Sequence, residues 1–345
     1  MVKRFVTLIL SYAMAMLLVH GGEAYYPTAM VGLSGEELLK ALKVAIRSHD
    51  NVMSQFDENT WWNICSAIDR HDDGSVWDMF SPDVIMITSD GEVPDGMSFC
   101  YVAYPEWAGD KEPYDEDLSL DLHNVYPCQS EVAGLKRGLI PWSIDNVTFD
   151  NESVAIGNVS VDGTTVTAYE PCDEYKGDIA RVLMYVAVCY GGEFLWCGQS
   201  WNLFLDNYYP VFNKRSTELM LEWHKLDPVS SKEIERNEAV YKLQGNRNPF
   251  VDYPKLAEHI WGELINEPFS FEDGSGESGD YLRASYMLGD TIWLRSSHVP
   301  SGAVWSIDGK SVADICIPAS ELGTGLHELR FSVGEMNGKM IIEIK

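Results

Sequence analysis

The sequence is poor in basic residues. Lysine and arginine together number 25 against 53 aspartates and glutamates, which gives the 345-residue chain a formal net charge of −28. A protein that holds nucleic acid through its phosphates needs lysine and arginine to displace counterions, and a strongly acidic chain repels polyanions at long range. The charge therefore argues against an extended nucleic-acid surface, although it is compatible with a local basic groove.

Long apolar runs are absent after the N-terminus. Residues 1–24 begin with two basic residues, continue with an apolar run from Phe5 to Val19, and end in small residues up to Ala24. This pattern is typical of a secretory signal peptide with cleavage near Ala24. No later segment reaches the roughly 20 apolar residues that a membrane span needs. The sequence predicts a secreted or periplasmic protein with no membrane span.

The chain contains no pair of cysteines with the CxxC spacing that is typical of zinc or redox sites. It has seven cysteines, and export would permit disulfides. The odd number leaves at least one thiol unpaired within a monomer. Cys189 and Cys197, which flank a Gly-Gly turn, are one possible pair, and buried free thiols are the other interpretation.

The remaining pattern predicts an α+β protein with two domains. Apolar residues at helical spacing predict several helices, and alternation with turn residues over 147–169 predicts one or two hairpins. Residues 269–280 are rich in glycine, serine and acid, which predicts a linker. Residues 281–345 alternate as short strands and predict a small all-β, sandwich-like module. The predicted helices cover 35–48, 178–190, 202–224, 231–241 and 255–265.

Several segments together carry a resemblance to a known family. They are YYPTAMVGLSGEELLKALKVAIRSH from Tyr25, VWDMFS at 76–81, DLHNVYP at 121–127, EPCDEYKGDIAR at 170–181 and the long segment 221–261, which contains QGNRNPF. In this order and spacing they resemble the bacterial endonuclease I family over residues 25–265. The C-terminal module lies outside the resemblance and is similar to immunoglobulin-like or sorting-type tails.

The resemblance implies a mainly helical ββα-metal (His-Me finger) domain over residues 25–268. It also implies a secreted, non-specific nuclease that uses Mg²⁺ or another divalent cation and takes nucleic acid as its partner. In that chemistry a water is deprotonated, and the cation stabilises charge on the phosphate and on the departing oxygen.

The sequence departs from the family at the catalytic residues. The family has an Arg-Glu-His tripeptide, with the general base and a metal ligand, before the DLH segment. Here that place reads SFCYVAYPEWAGD (98–110), and no histidine occurs between His71 and His123. A second family ligand is an asparagine on the following helix, and Ala133 stands at that position. The general base and both metal ligands are therefore missing, so enzymatic activity is uncertain.

Some polar residues near these positions could still take part in a site. His123 is a candidate replacement base, and the alternative is an oriented core histidine. Asn124 and Glu131 are candidate metal ligands, with Glu106 or Glu112 as further carboxylates.

Two arginines in family-like segments are candidate phosphate contacts. Arg181 and Arg247 are the candidate substrate-binding residues, and the alternative is that each is a paired or loop-ordering side chain.

Three functions agree with these patterns. The first is a catalytically degenerate pseudoenzyme that is retained as a scaffold or binding protein. The second is an active metal-dependent nuclease with a site rebuilt around His123, Glu131 and an upstream acid. The third is a surface interaction protein that binds through residues 281–345 and whose partner is unknown.

Overall fold

A computed structural model describes most of the chain beyond the predicted signal peptide. The described residues are 25–49, 57–71, 73–87, 91–109, 114–161, 163–193, 195–271, 285–286, 291–293, 304–312, 316–333 and 336–344. Residues 1–24, most of the predicted linker, and Glu112 lie outside them. The chain is a mixed α+β protein, as the sequence predicts.

Ten α-helices occur in the described residues. They are α1 (Gly35–His49), α2 (Glu58–Asn63), α3 (Tyr114–Ser119), α4 (Ser130–Lys136), α5 (Lys176–Tyr190), α6 (Lys214–Leu226), α7 (Ser231–Gln244), α8 (Pro249–Asp252), α9 (Leu256–Trp261) and α10 (Ala319–Leu322). The strands are β1 (Met97–Tyr101), β2 (Val125–Gln129), β3 (Ile140–Pro141), β4 (Asn146–Asp150), β5 (Val154–Val161), β6 (Thr164–Pro171), β7 (Ser285–Tyr286), β8 (Thr291–Trp293), β9 (Val304–Ile307), β10 (Lys310–Val312), β11 (Cys316–Pro318), β12 (Gly325–Val333) and β13 (Met336–Ile344).

Helix α5 runs through the interior of the larger domain. Every residue of this helix after Lys176 is buried. Apart from Asp178 and Arg181 these residues are apolar or aromatic, as expected of a core helix. It packs against α1, α6 and α8. The QGNRNPF loop at 244–250 is hydrogen bonded to α5, because the side-chain amide of Asn246 donates to the Tyr185 hydroxyl and that of Asn248 to the Arg181 carbonyl.

Two sheets belong to the larger domain. One is four-stranded with the order β3-β6-β5-β4, in which β5 and β6 form the predicted hairpin. The other is the antiparallel pair of β1 and β2, with Cys100 opposite Tyr126. Helix α4 follows β2 directly and packs on both β1 and β2. This β-β-α unit carries the positions where the sequence departs from the family.

The C-terminal strands form a β module. A five-stranded sheet has the order β10-β9-β12-β13-β7, with β7 parallel to β13, and β11 pairs with β8. Trp305, Leu329 and Ile342 belong to its apolar cluster. The described residues of the module form strands and turns apart from the short helix α10, and its immunoglobulin-like character stays a prediction.

The predicted helix over 202–224 is wrong in its first half. A 3-10 turn covers 198–202, Phe204 bridges to Phe212, and the helix begins only at Lys214. Asn213 caps it by accepting a hydrogen bond from the Ser216 amide, and asparagine is a strong N-cap residue. Pro210 lies inside the predicted span, where it would remove a helical hydrogen bond. The predicted helices 35–48, 178–190 and 231–241 are confirmed.

Among the described residues, no helix has the length and apolar character that crossing a membrane requires.

Candidate functional site

The β-β-α unit brings the two altered regions together. Strand β1 carries residues 98–101 of the segment SFCYVAYPEWAGD, and α4 carries Ala133. Ala133 is partly buried and packs against the main core. Its methyl group has no lone pair to offer a cation, so the helix presents no ligand at this position.

Lys136 fills the inner face of α4 one turn beyond Ala133. Its ammonium is fully buried and donates a hydrogen bond of 2.7 Å to the carbonyl of Tyr101 at the end of β1. It also lies 4.2 Å from the ring centre of Tyr169 and 4.6 Å from that of Phe80. Burial lowers the pKa of Lys136, and the aromatic faces offset part of the cost of burying its charge. Sequence reasoning missed this residue, although its i+4 spacing from Val132 places both on one helix face.

Glu106, in the connection between β1 and β2, already has a partner. Glu106 and Arg137 form an ion pair of 2.7 Å, and both side chains are more than half exposed. Burial raises the pKa of Glu106, but the hydrogen bond and charge of Arg137 and a backbone hydrogen bond together outweigh it, so the pKa is lowered. Glu131 is also exposed, in the first turn of α4.

His123 lies in the interior and not at the surface. Its side chain is 2% exposed, its Nε2 is 3.3 Å from the carbonyl of Asn246, and its ring lies 4.8 Å from that of Tyr185. Burial lowers the pKa of His123 to about 4. At neutral pH it is therefore an uncharged imidazole with a partner inside the fold.

Asn124 is committed to the backbone. It is fully buried, its Oδ1 accepts a hydrogen bond of 2.8 Å from the amide of Ala103, and its Nδ2 donates to the carbonyls of Ala103 and Leu118. Its amide oxygen thus already has a donor partner. Asn124 joins the end of β1 to the turn before β2.

Asp121, the first residue of the DLH segment, is a buried hydrogen-bond acceptor. Its carboxylate accepts hydrogen bonds of 2.8 Å from the hydroxyls of Tyr185 and Tyr190 and from the side-chain amide of Gln244. The segment thereby ties the β-β-α unit to α5 and α7. Because each oxygen of the buried Asp121 carboxylate has hydrogen-bond donors, its burial does not destabilise the fold.

Arg181 forms a buried ion pair on α5. Its side chain is 1% exposed, and its Nη2 donates to Glu233 Oε2 over 2.7 Å. Its Nη1 donates to the carbonyl of Asp227 over 2.8 Å. Burial raises the pKa of the Asp227 carboxyl to about 6. The guanidinium is thus surrounded by protein groups.

Arg247 orders the loop between α7 and α8. Its guanidinium forms a two-point hydrogen bond to Asp252, at 2.8 and 2.9 Å, and a further bond of 2.8 Å to Glu238. Its backbone amide donates to the hydroxyl of Tyr25. Asn248 caps α8 in the same loop. A fork-to-fork pair of this kind fixes the geometry of both side chains.

A small, partly open cavity lies beside His123 and the Glu233 carboxylate. It has a volume of about 20 Å³ and is lined by polar residues that include His123, Asp178, Glu233 and Arg236. A polar cavity of this size holds about one water molecule. It is too small for a nucleotide.

The donor atoms of the described residues do not fit a divalent cation. Within the part of the chain that the structure describes, no group of three or more histidine, cysteine, aspartate or glutamate side chains could hold a metal ion. Ala133 offers no donor, the Asn124 oxygen is occupied, and the His123 ring faces Asn246.

Comparisons with known proteins agree on one family. The family model described as Endonuclease I matches residues 34–255. The extracellular ribonuclease of Bacillus subtilis (strain 168) is 37% identical over 143 residues, which are 41% of this chain and 46% of that protein. The extracellular ribonuclease of Bacillus amyloliquefaciens is 38% identical over the same shares.

A more distant relative points the same way. The extracellular deoxyribonuclease of Aeromonas hydrophila is 27% identical over 132 residues, which are 38% of this chain and 49% of that protein. The chain thus spans about half the length of the curated relatives it matches.

Proposed function

This chain belongs to the endonuclease I family, and from that premise we propose that it is an exported scaffold or binding protein with a degenerate nuclease site. The observation that carries the proposal is Ala133 in the β-β-α unit, where the family would place an asparagine ligand. The buried, low-pKa imidazole of His123 supports it, because a general base works best with a pKa near the operating pH. In this proposal Arg181 and Arg247 stabilise the fold and do not contact phosphate.

The missing groups would have to act together. Hydrolysis of a phosphodiester needs both a base for the attacking water and charge stabilisation on the phosphate. Groups that act as a unit are non-additive, so losing one already costs several orders of magnitude in rate. No reaction step through a metal ion is derived for this chain.

A nuclease assay on the purified mature protein tests the proposal. Supercoiled plasmid and a single-stranded RNA are incubated with Mg²⁺ or Mn²⁺, and the expected result is no cleavage above a buffer control. Cleavage that EDTA abolishes would contradict the proposal. The variant Glu131→Gln, purified in parallel, reports contaminating nuclease, because a contaminant's activity is the same in both preparations.

The alternative is an active nuclease with a rebuilt site. The relatives at 37% and 38% identity, whose names are extracellular ribonuclease, favour it. In this alternative His123 is the base, Glu131 with Glu106 or Glu112 holds a divalent cation, and nucleic acid is the partner. It predicts that His123→Ala abolishes cleavage while the circular dichroism spectrum stays unchanged.

Export is proposed on two grounds. The residues up to Ala24 have the pattern of a signal peptide, and the relatives above carry the word extracellular in their names. Mass spectrometry of the protein recovered from a secreting host would locate the cleavage site.

A further inference from the structure

Two cysteines, Cys100 on β1 and Cys128 on β2, lie diagonally across the β1–β2 pair. Ser98 is opposite Cys128, and Cys100 is opposite Tyr126. Because side chains two residues apart on a strand share a face, Cys100 and Cys128 lie on the same face, one diagonal step apart. They are 2% and 0% exposed, and both thiols are free.

The Cα separation along this diagonal decides whether a disulfide can form. In a flat ladder, diagonal Cα atoms are about 7–8 Å apart, slightly beyond the roughly 4.4–6.8 Å that a disulfide spans. Strand twist shortens one of the two diagonals of each pair. The side chains of Cys100 and Cys128 interact, since the Cys100 thiol is the largest cause that raises the pKa of the Cys128 thiol, which agrees with a shortened diagonal.

We propose that Cys100 and Cys128 are an oxidation site that closes into a disulfide between β1 and β2 when the chain folds in the presence of a small-molecule disulfide such as oxidised glutathione. The thiolate of one cysteine attacks the small disulfide, forms a mixed disulfide and releases one small thiol. The thiolate of the second cysteine then attacks the mixed disulfide and displaces the remaining small thiol. The two cysteines lose two protons and two electrons, which the small disulfide takes up as it becomes two thiols.

The surroundings of the pair place this reaction in the folding chain. The hydrogen bond from Cys100 and burial raise the pKa of the Cys128 thiol, and the Lys136 ammonium offsets only a small part of that rise. The exchange therefore takes place while the chain is folding, before the pair is buried. The other pair that the sequence suggested includes Cys197, whose thiol instead donates to the carbonyl of Glu106 over 2.9 Å. The proposal is independent of any nuclease activity, because it concerns only the joining of the two strands.

Mass spectrometry on the full mature chain tests the proposal. The protein is folded with oxidised and reduced glutathione, denatured, alkylated and digested without reductant. The expected product is one peptide pair that joins Cys100 to Cys128, with two of the seven thiols protected from alkylation. Alkylation of all seven thiols would overturn the proposal, and so would a link from either cysteine to a different partner.

Serine variants and thermal unfolding give a second readout. Cys100→Ser and Cys128→Ser should each remove the linked peptide pair. Cys65→Ser, at a buried thiol outside β1 and β2, should keep it. Reductant should lower the unfolding temperature of the oxidised wild type by on the order of 5–10 °C and leave the double serine variant unchanged. An equal response of both proteins to reductant would overturn the proposal even if a single variant failed to fold.

Discussion

At the scale of single residues, Arg181 illustrates how a charged group in a family segment can belong to the fold. Its guanidinium and the Glu233 carboxylate are both almost fully buried, and they contact each other at two points. Removing one member of such a pair leaves the other charge without compensation in the interior. The pair joins α5 to the start of α7.

We expect Arg181→Met to lower the free energy of unfolding by about 3–5 kcal/mol, because Glu233 would remain buried without its partner. Chemical denaturation followed by circular dichroism measures the change. Arg137→Met is the matched control, because its ion pair with Glu106 is exposed and such pairs contribute little. Equal, small effects of both substitutions would show that Arg181 is not a structural residue.

His123 makes a second residue-scale prediction. Its folded-state pKa of about 4 lies below its ordinary value of 6.5, so the unfolded chain binds the proton more readily between these values. Stability from neutral His123 is therefore present at pH 7 and is lost as pH falls from 6.5 toward 4. Relative to His123→Gln, the wild type should lose roughly 2–3 kcal/mol of unfolding free energy over this range.

Comparing the two proteins at each pH cancels the contributions of other groups, such as the Asp227 carboxyl, whose raised pKa has the opposite sign of effect. Unfolding free energies at pH 7, 5.5 and 4.5 are sufficient. A difference that does not vary with pH would mean that His123 titrates normally. In that case the imidazole would be accessible, and the alternative of a catalytic base would gain support.

At the scale of elements, the start of a helix could be predicted from the sequence where it depends on residues close along the chain. Helix α7 was predicted from Ser231, with Glu233 in its first turn, and the structure shows Ser230 and Glu233 in a reciprocal capping box. The same Glu233 also pairs with Arg181, which is 52 positions away along the chain. Capping is a local rule, whereas that second partner depends on packing.

In the candidate site, the position without a ligand could be predicted from the sequence, and the buried lysine on the same helix could not. Ala133 could be read directly from the sequence as a position without a ligand. The buried ammonium of Lys136 could not, because its partners Tyr101 and Tyr169 reach it only after β1, β6 and α4 pack together. A lysine is rarely fully buried, so composition alone favours a solvent-exposed position.

At the scale of the whole molecule, the described residues form separate apolar cores. The cluster around Trp305 and Leu329 in the C-terminal module shares no residue with the main cluster around α5. A domain with its own core can fold alone. The proposed division is an endonuclease I-like domain at 25–268, a linker at 269–280 and a module at 281–345.

We expect a chain ending at residue 271 to fold with the same unfolding temperature as the larger domain in the full protein. The difference should be under about 2 °C, the shift that roughly 1 kcal/mol produces in a domain of this size. Scanning calorimetry of both chains measures it, and the full protein should show an additional transition from the module. A fragment that fails to fold would place residues 281–345 within the core of the larger domain. If it folds, binding assays that compare the fragment with the full protein can decide whether a ligand is held by the endonuclease I-like domain or needs the β module.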